Sequence, residues 1–299
     1  MKRLVFLLVL SGMLNAGMVF SQQKEPTVLD GIYVKEHVPA RKPVPYHHIR
    51  EADMMWTKKI WRMLDLKEKI NHPLYFPITQ SKIDDRYSLV SLLLASIESG
   101  DLEVYDPSED DEFTTPLTIA GIDMNFEAIA DTQYVEDVVT GTDVMKVIPG
   151  ERRLKEVSRL LLKEIWYFDK QRSMLEVRIV GMCPIRMAPP KQAIGDEAST
   201  EASAEEEPEL TMKKLFWVYY PAARPILANH EVYNPNNDAE RRTFEDIFFK
   251  RHFNSYIFEE TNVWENRTIS EFKKGLDALL ESERIKDWMF KIEHDLWEF

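Results

Sequence analysis

The longest run of closely spaced apolar positions lies within residues 42–77. Its apolar residues recur at intervals of three or four: Ala52, Trp56, Ile60 and Met63. This spacing predicts a helix that begins near Ile49. Met54, Trp61 and Leu64 widen the apolar stripe beyond that of an ordinary surface helix, so we expect the helix to be covered on two sides.

A second apolar stripe predicts another central helix. It consists of Val90, Leu93, Leu94 and Ile97. Asp84 or Asp85 can cap the start of this helix, because a carboxylate accepts hydrogen bonds from the first backbone N–H groups. Gly100 is expected to end it.

The C-terminal part is predicted to be helical. One short helix is marked by Phe244, Ile247 and Phe248. A capping box from Thr268 to Glu271 predicts the start of a longer helix, with a stripe of Phe272, Leu276, Leu279 and Leu280. A final stripe comprises Ile285, Trp288, Met289, Ile292 and Leu296, and Trp297 and Phe299 predict a docked terminus.

Residues 174–182 show the alternation of a half-buried antiparallel strand, with Leu175, Val177 and Ile179 on one side. Residues 154–165 fit helical spacing, whereas 166–182 fit a hairpin. Further strands are predicted at residues 102–105, 144–148 and 215–220, the last beside the hairpin. The predicted fold class is α+β, an antiparallel sheet covered by amphipathic helices and preceded by an extended arm.

The N-terminal residues predict a secretory signal peptide at 1–21, because Lys2 and Arg3 precede an apolar run and small residues. The alternative, an uncleaved anchor, is disfavoured because the apolar run is too short to span a bilayer. We divide the rest into an arm at 22–48 and a body at 49–195 and 210–299. The body is interrupted at 196–209 by an acidic stretch without aromatics, predicted to be a flexible insertion.

The arm is predicted to contact a partner or a neighbouring subunit. Its prolines stiffen the segment, so docking costs less conformational entropy. Three of its residues could add a strand to a sheet edge. The predicted contact residues are Ile32, Tyr33, Val34, Pro43, Pro45 and Tyr46. The alternative is a leader that only separates the body from its export signal.

Composition excludes some classes of function. The formal charge of −13 disfavours nucleic acid as a partner. The longest later apolar run, residues 89–95, is too short to cross a membrane. Cys183 is the only cysteine, which excludes an internal disulfide, and we interpret it as a small buried hydrophobe.

Candidate chemical groups are few. They are His47, His48, His252, Glu293, His294 and Asp295. Adjacent histidines point in different directions on an extended segment, and neighbouring helical residues diverge, so no shared site is predicted. Only ten glycines are present, which disfavours phosphate-binding loops. We therefore predict no catalytic, cofactor or metal site, although a constellation of Asp and Glu formed by the fold stays open.

Several stretches resemble the GldN/PorN family of gliding-motility and type IX secretion proteins. They include VPYHHIREADMMWTKKIWRMLDLKEKINHPLYFP, WYFDKQRSMLEVRIVGMCP, LFWVYYPAAR, VYNPNNDAERRTFEDIFFKRHFNSYIFEETN and EHDLWEF. The resemblance covers nearly the whole mature chain and breaks at residues 196–209. It implies a non-enzymatic periplasmic scaffold of Bacteroidota, with no catalytic residues to carry over.

The resemblance also implies partners. These are a GldK/PorK-type lipoprotein, with which the chain would form rings at the inner face of the outer membrane, and a GldM/PorM-type motor protein. The rival hypothesis is a periplasmic hydrolase or peptidoglycan-binding protein. It is suggested by the acids and aromatic residue at Glu164, Trp166 and Asp169.

Overall fold

The long apolar stretch forms a strand, so the helix predicted from Ile49 is wrong. The computed structural model describes residues 41–79, 86–108, 111–128, 131–136, 143–148, 150–189, 210–237 and 239–296. Strand β1 spans Met54–Asp65. Residues four apart, such as Trp56 and Ile60, share one face of a strand as well as of a helix. From Ile60 to Leu64 both faces are buried, so the polar alternation that marks a strand is missing.

The chain folds into an antiparallel seven-stranded sheet with helices, which confirms the α+β class. The strands are β1, β2 Val104–Tyr105, β3 Asp131–Glu136, β4 Asp143–Ile148, β5 Val157–Asp169, β6 Met174–Ala188, β7 Thr211–Lys214, β8 Trp217–Tyr219 and β9 Tyr256–Glu260. The helices are α1 His72–Tyr75, α2 Leu89–Glu98, α3 Ile119–Phe126, α4 Tyr220–Asn229, α5 Phe244–Phe249, α6 Ile269–Phe272 and α7 Leu276–Leu296. Short 3-10 turns occur at Glu51–Asp53, Lys69–Asn71 and Leu154–Glu156.

The strand order in the sheet is β2-β8-β6-β5-β1-β9, with β7 also paired to β6, while β3 and β4 form a separate pair. The strands predicted at 102–105, 144–148 and 215–220 are confirmed in β2, β4 and β8, and β8 lies beside the hairpin as expected. Strand β9, which pairs with β1, was not predicted. The signal peptide, Ile32, Tyr33, Val34 and the acidic insertion lie outside the described residues.

Strands β5 and β6 form the central hairpin, from Val157↔Arg186 to Asp169↔Met174. The predicted hairpin is confirmed, but the helical interpretation of residues 154–165 is wrong. Val157, Leu161 and Ile165 are four residues apart, which is also compatible with one face of a strand. The strand predicted around Leu175 is confirmed, but residues 175–178 are all half-buried, so the predicted alternation of buried and exposed side chains is not observed there.

Helix α2 has the predicted apolar stripe, but its cap is a different residue. The Ser88 side chain accepts a hydrogen bond from Ser91 N at 3.2 Å. Asp84 and Asp85 lie outside the described residues, upstream of this cap. Gly100 has a φ of +81°, so it provides the left-handed residue expected where a helix ends.

The C-terminal helices differ from prediction at their start. The Thr268 side chain makes no capping bond to the backbone, and α6 ends after four residues. Gly275, with a φ of +58°, lies between α6 and α7 and separates the two helices. The predicted helix around Phe244 is confirmed as α5, whose own capping box uses Thr243 and Asp246. Trp297 and Phe299 lie outside the described residues.

Three apolar clusters hold the body together. The largest joins β1, β5, β6 and β8 to α2, α4 and α5, with Phe216, Tyr220 and Phe244 fully buried. A second, around Trp61 and Trp217, lies on the other side of the sheet. The third packs Ile285 and Met289 of α7 against β1 and β9. The sheet is therefore covered on both faces along its central strands.

Candidate interaction surfaces

The described part of the arm, residues 41–48, lies on the protein's own body. It begins at Arg41, whose backbone N donates to Asn229 Oδ1 of α4 at 3.0 Å. The Arg41 guanidinium also lies 3.8 Å from the Asp246 carboxylate at the start of α5. These two contacts fix where the arm enters the body.

Two arginines then hold the arm through its carbonyl groups. Arg224 of α4 donates to the Val44 carbonyl, and Arg178 of β6 donates to the His47 carbonyl, each at 2.5 Å. Prolines 43 and 45 have no backbone N–H to give, so a strand ladder is unfavourable here. The guanidinium groups of Arg178 and Arg224 therefore supply the hydrogen bonds that a neighbouring strand would otherwise donate to these carbonyl groups.

The aromatic ring of Tyr46 lies between the same two guanidinium groups. Its centroid is 4.0 Å from Arg224 and 5.0 Å from Arg178. Burial raises the pKa of the Tyr46 hydroxyl, although the charge on Arg224 opposes this rise. The neutral ring lies within cation–π distance of two guanidinium groups, which makes Tyr46 an anchor of the arm.

Behind Tyr46 lies a buried ion pair. Arg224 donates from Nε and Nη2 to Glu245 Oε1 at 2.8 Å and 2.6 Å, and Tyr220 donates to Glu245 Oε2 at 2.8 Å. Burial disfavours the charge on Arg224, but its bonds to Glu245 outweigh that effect and raise its pKa. Burial also raises the pKa of Tyr220. The network is fully hydrogen-bonded, as a buried ion pair must be to be tolerated.

A groove of 440 Å³ lies between the arm, the start of β6 and the end of α5. His47 Nε2 lies 3.4 Å from Glu176 and 3.6 Å from Asp169. Tyr167 donates to Glu176 at 2.7 Å, and burial raises the pKa of this tyrosine. Tyr167 and Glu176 satisfy each other, whereas His47 Nε2 is buried and makes no hydrogen bond within the described residues.

The structure places the predicted contact residues unevenly. Tyr46 and Pro43 are half-buried against the body, whereas Pro45 and Val44 are exposed. Ile32, Tyr33 and Val34 lie outside the described residues, so a contact between any of these residues and a partner stays a prediction. Arg178 and Arg224, which hold the arm, were not predicted, because neither has a sequence pattern that marks it.

The outer face of α7 exposes several large apolar side chains. Leu276, Leu279, Leu280 and Phe290 are 52–71% exposed. Ile285 and Met289 are buried on the opposite side of the helix, as predicted for the final stripe. Helix α7 therefore carries two apolar stripes, and only one of them packs on the sheet.

Leu276, Leu279 and Leu280 lie on a helix as predicted, but Phe272 belongs to a separate helix, α6. Helical spacing identifies an apolar face but does not say what covers it. Because the chain breaks at Gly275, the helical spacing that starts at Phe272 in α6 does not continue into α7. Val263 and Trp264, on the loop before α6, add to the exposed apolar surface of this region at 87% and 62%.

The residues behind the hydrolase hypothesis do not form one site. Glu164 is fully buried and lies 2.9 Å from both Arg251 Nη1 and Trp166 Nε1. Asp169 is on the opposite face of β5, near His47. A pair of carboxylates that share a substrate needs both groups on one side. Glu164 is therefore a buried structural anion neutralised by Arg251.

The remaining candidates stay apart. His48, His252, His294 and Asp295 are exposed. Within the described ranges, no three His, Cys, Asp or Glu side chains are arranged to hold a metal ion. Cys183 is fully buried, as predicted, and burial raises the pKa of its thiol to about 12.

Comparison with known proteins gives one assignment. A family model described as "Gliding motility associated protein GldN" matches residues 49–298. A search of curated proteins gives no match. In the part of the chain that the structure describes, no helix is long and apolar enough to cross a membrane. Because the match covers most of the sequence, the chain belongs to the GldN family and is a component of the gliding-motility and type IX secretion machinery.

Proposed function

We propose that this protein is a non-enzymatic scaffold subunit of that machinery in the periplasm. It forms a ring with a GldK/PorK-type lipoprotein at the inner face of the outer membrane, and this ring contacts a GldM/PorM-type motor protein. Family membership and the predicted export signal support this proposal. The lipoprotein supplies the attachment to the membrane.

The observation that carries the proposal is the outer face of α7. Soluble monomers rarely expose a contiguous patch of large apolar side chains, and such patches commonly mark interaction sites. Four of the charges beside the patch are paired within the helix, Arg284 with Glu281 and Lys286 with Glu283. At these positions a partner can cover the patch without burying an unpaired charge.

We assign this face to the lipoprotein. Long-lived partners bury more apolar area than transient ones, and a scaffold ring must persist through many secretion events. Leu276, Leu279 and Leu280 lie within five residues of one another, which is the spacing of anchors that fill a groove. The motor contact is expected elsewhere on the ring.

Co-expression with the lipoprotein tests the assignment. The variant Leu279→Asp/Leu280→Asp should elute separately from the lipoprotein in size-exclusion chromatography of the mixture. Lys291→Asp, an exposed polar position on the same helix, should enter the large assembly like the parent protein. Both variants should keep the parent melting temperature, because neither leucine contributes to the core. A folded double-aspartate variant that still enters the assembly would remove α7 from the interface.

A further inference from the structure

The loop between β9 and α6 holds two exposed apolar side chains in a fixed position. Val263 and Trp264 are 87% and 62% exposed. Trp264 N donates to Asn262 Oδ1 at 2.9 Å, and Asn262 N donates to Asn266 Oδ1 at 3.1 Å. Arg267 N closes the turn by donating to the Trp264 carbonyl at 3.2 Å. The loop is therefore ordered before any partner binds, so docking costs it little conformational entropy.

The tip of this loop, residues 263–265, combines an aromatic anchor with a free negative charge. The Arg267 guanidinium lies 4.8 Å from the centroid of the Trp264 ring and supports it from within the loop. Glu265 is exposed and makes no ion pair within the described part of the chain. Tryptophan is enriched among the residues that dominate protein–protein binding energies. The tip therefore has the chemistry of a docking element for a surface that is both apolar and cationic.

The groove of 440 Å³ beside the start of β6 is such a surface. Its lining includes the apolar residues Leu175 and Val177 of β6, and Phe249, which is 48% exposed at the end of α5. Its volume lies in the range of pockets that hold small ligands, roughly 300–1,000 Å³, which is sufficient for an indole ring. The charged side chains in this lining are three arginines and one carboxylate: Arg172, Arg178, Arg251 and Glu176.

An incoming carboxylate meets an arginine first. The Arg172 side chain is 48% exposed, whereas that of Glu176 is 20% exposed and already accepts hydrogen bonds from Arg172 and Tyr167. The other acids of this region, Glu164 and Asp169, are buried behind the groove. The rim that faces a partner is therefore cationic.

The tip and the groove are fixed at different places on one body. The groove lies beside β6, whereas the tip follows β9, and β5 and β1 lie between these two strands in the sheet. The hydrogen bonds of the loop hold the tip where it is, so a chain does not fill its own groove. A second copy brings the two surfaces together without rearranging either.

The charge of the chain also favours this pairing between copies. Copies with a formal charge of −13 repel one another, so a contact between them needs a place where the local charges are opposite. Glu265 on the tip and Arg172 on the rim of the groove provide that place.

We propose that the tip of one copy docks in the groove of the next copy, with Trp264 against Leu175 and Phe249 and with Glu265 beside Arg172. The tip and the groove are different surfaces, so the contact is head to tail, and its repetition closes a ring or extends a filament. The inference rests on the self-association in the proposed function and names the surfaces that perform it.

Sedimentation of full-length chains tests the tip. Val263→Ser/Trp264→Ser should weaken self-association at least about tenfold, because a buried tryptophan dominates many interfaces. Met124→Ser removes an apolar side chain that is 61% exposed on α3, and this control should associate like the parent. Both variants should keep the parent melting temperature, since the side chains they remove are exposed. A folded Val263→Ser/Trp264→Ser chain that associates like the parent would overturn the proposal.

Charge reversal tests the groove. Glu265→Arg and Arg172→Glu should each weaken self-association about tenfold, because each places like charges across the contact. A chain that carries both changes has opposite charges there again and should associate within about threefold of the parent. A folded double variant without this recovery would exclude the pairing of Glu265 with Arg172.

A mixture tests the head-to-tail direction. Val263→Ser/Trp264→Ser retains a groove and Arg172→Glu retains a tip, so the two chains together should form one-to-one complexes and nothing larger. Larger assemblies, or no complex at all, would contradict the proposal. All these variants should co-elute with the lipoprotein, because Leu279 and Leu280 are unchanged. If the parent failed to bind the lipoprotein while the self-association results held, the proposed function would fail and the contact between tip and groove would stand.

Discussion

The sheet has two incomplete edges, and the protein treats them differently. Residues 174–180 of β6 and residues 54–58 of β1 each have a strand neighbour only on the hairpin side. The β6 edge is covered by the arm through Tyr46. Residues 54–58 of β1 have no described strand on their outer side, and Met54 and Met55 beside them are exposed.

The difference lies in the covering groups. At β6, Arg178 and Arg224 hold the arm through its carbonyl groups, and the Tyr46 ring lies against both guanidinium groups. At β1, nothing in the described chain replaces the strand. An uncovered edge in a soluble protein is a liability unless something binds there. The described part of β6 therefore has the arm beside it, whereas residues 54–58 of β1 have no described strand on their outer side.

Removal of Arg224 should have the largest effect. Arg224→Ala leaves the buried Glu245 carboxylate with only Tyr220 as a side-chain donor and releases one face of Tyr46. Breaking a buried ion pair in this way costs ~3–5 kcal/mol. Denaturant unfolding measures the loss of stability. Arg172→Ala, which removes an exposed partner of Glu176 near the same groove, should cost at most ~0.5 kcal/mol.

A double variant sharpens this result. The variant Arg224→Ala/Glu245→Gln also removes the buried charge that Arg224→Ala leaves unpaired, so it should be more stable than Arg224→Ala alone. If the single Arg224→Ala variant cost no more than Arg172→Ala, the arm would not depend on the buried pair.

Proline substitution at two adjacent residues should distinguish the sides of β1. The Lys59 carbonyl accepts a hydrogen bond from Thr261 N on the β9 side, and the direction of backbone groups alternates along a strand. Lys58 therefore directs its N–H toward β5, whereas Thr57 directs its N–H outward. Lys58→Pro should therefore be ~2–3 kcal/mol less stable than Thr57→Pro, because it removes a ladder bond and leaves a carbonyl without a donor. Urea unfolding of both variants at low protein concentration measures the difference. Equal losses would mean that the outer side of Thr57 is already occupied.

Sequence patterns predicted most of the helices and several strands, but they assigned β1 and the first half of β5 to helices. The strand around Leu175 was predicted correctly because both sides of that part of β6 are only half-buried, which leaves Glu176 and Arg178 as polar residues at alternate positions. Such polar positions are missing from Ile60 to Leu64, where both faces are buried and a spacing of four suits either structure. Central strands of this kind lose the polar positions on which the distinction depends.

The candidate surfaces were less predictable still. The prolines and Tyr46 predicted an extended arm that docks, and residues 41–48 do lie on the surface of the protein's own body. Arg178 and Arg224 come from a strand and a helix far apart in sequence, so only the fold brings them together. The second stripe of α7 was visible in the sequence, but its exposure depends on where the first stripe packs.

Removal of the Tyr46 ring should expose the edge of β6 that the arm lies beside. Tyr46→Ala removes a half-buried ring and two cation–π contacts, worth together ~2 kcal/mol. Residues 41–48 should then exchange their amide hydrogens faster, as should the outer side of residues 174–180. Tyr46→Phe keeps the ring and should stay within ~0.5 kcal/mol of the parent. If both variants exchanged like the parent, the carbonyl bonds from the arginines would be sufficient to hold the arm.

The smallest effect concerns β9, which covers the remaining part of the β1 edge. Burial raises the pKa of Glu259, opposite Trp61, to about 7, and Asp111 and Glu271 add to the rise while Lys214 and Lys163 oppose it. The folded state therefore holds a proton that the unfolded chain releases near pH 4.5, so this residue's contribution to stability falls as the pH rises from 4.5 to 7.

Glu259→Gln removes that dependence. Because the side chain is partly exposed, solvent screening reduces the effect to ~1 kcal/mol. The variant should be about that much more stable than the parent at pH 8 and equal to it at pH 4.5, as measured by urea unfolding at both values. Glu240→Gln, an exposed carboxylate far from β9, serves as the control and should show no such difference. If the stability of Glu259→Gln changed with pH as much as that of the parent, solvent would reach the part of the β1 edge that β9 covers. The covered and open stretches of β1 would then differ less than the backbone pairing indicates.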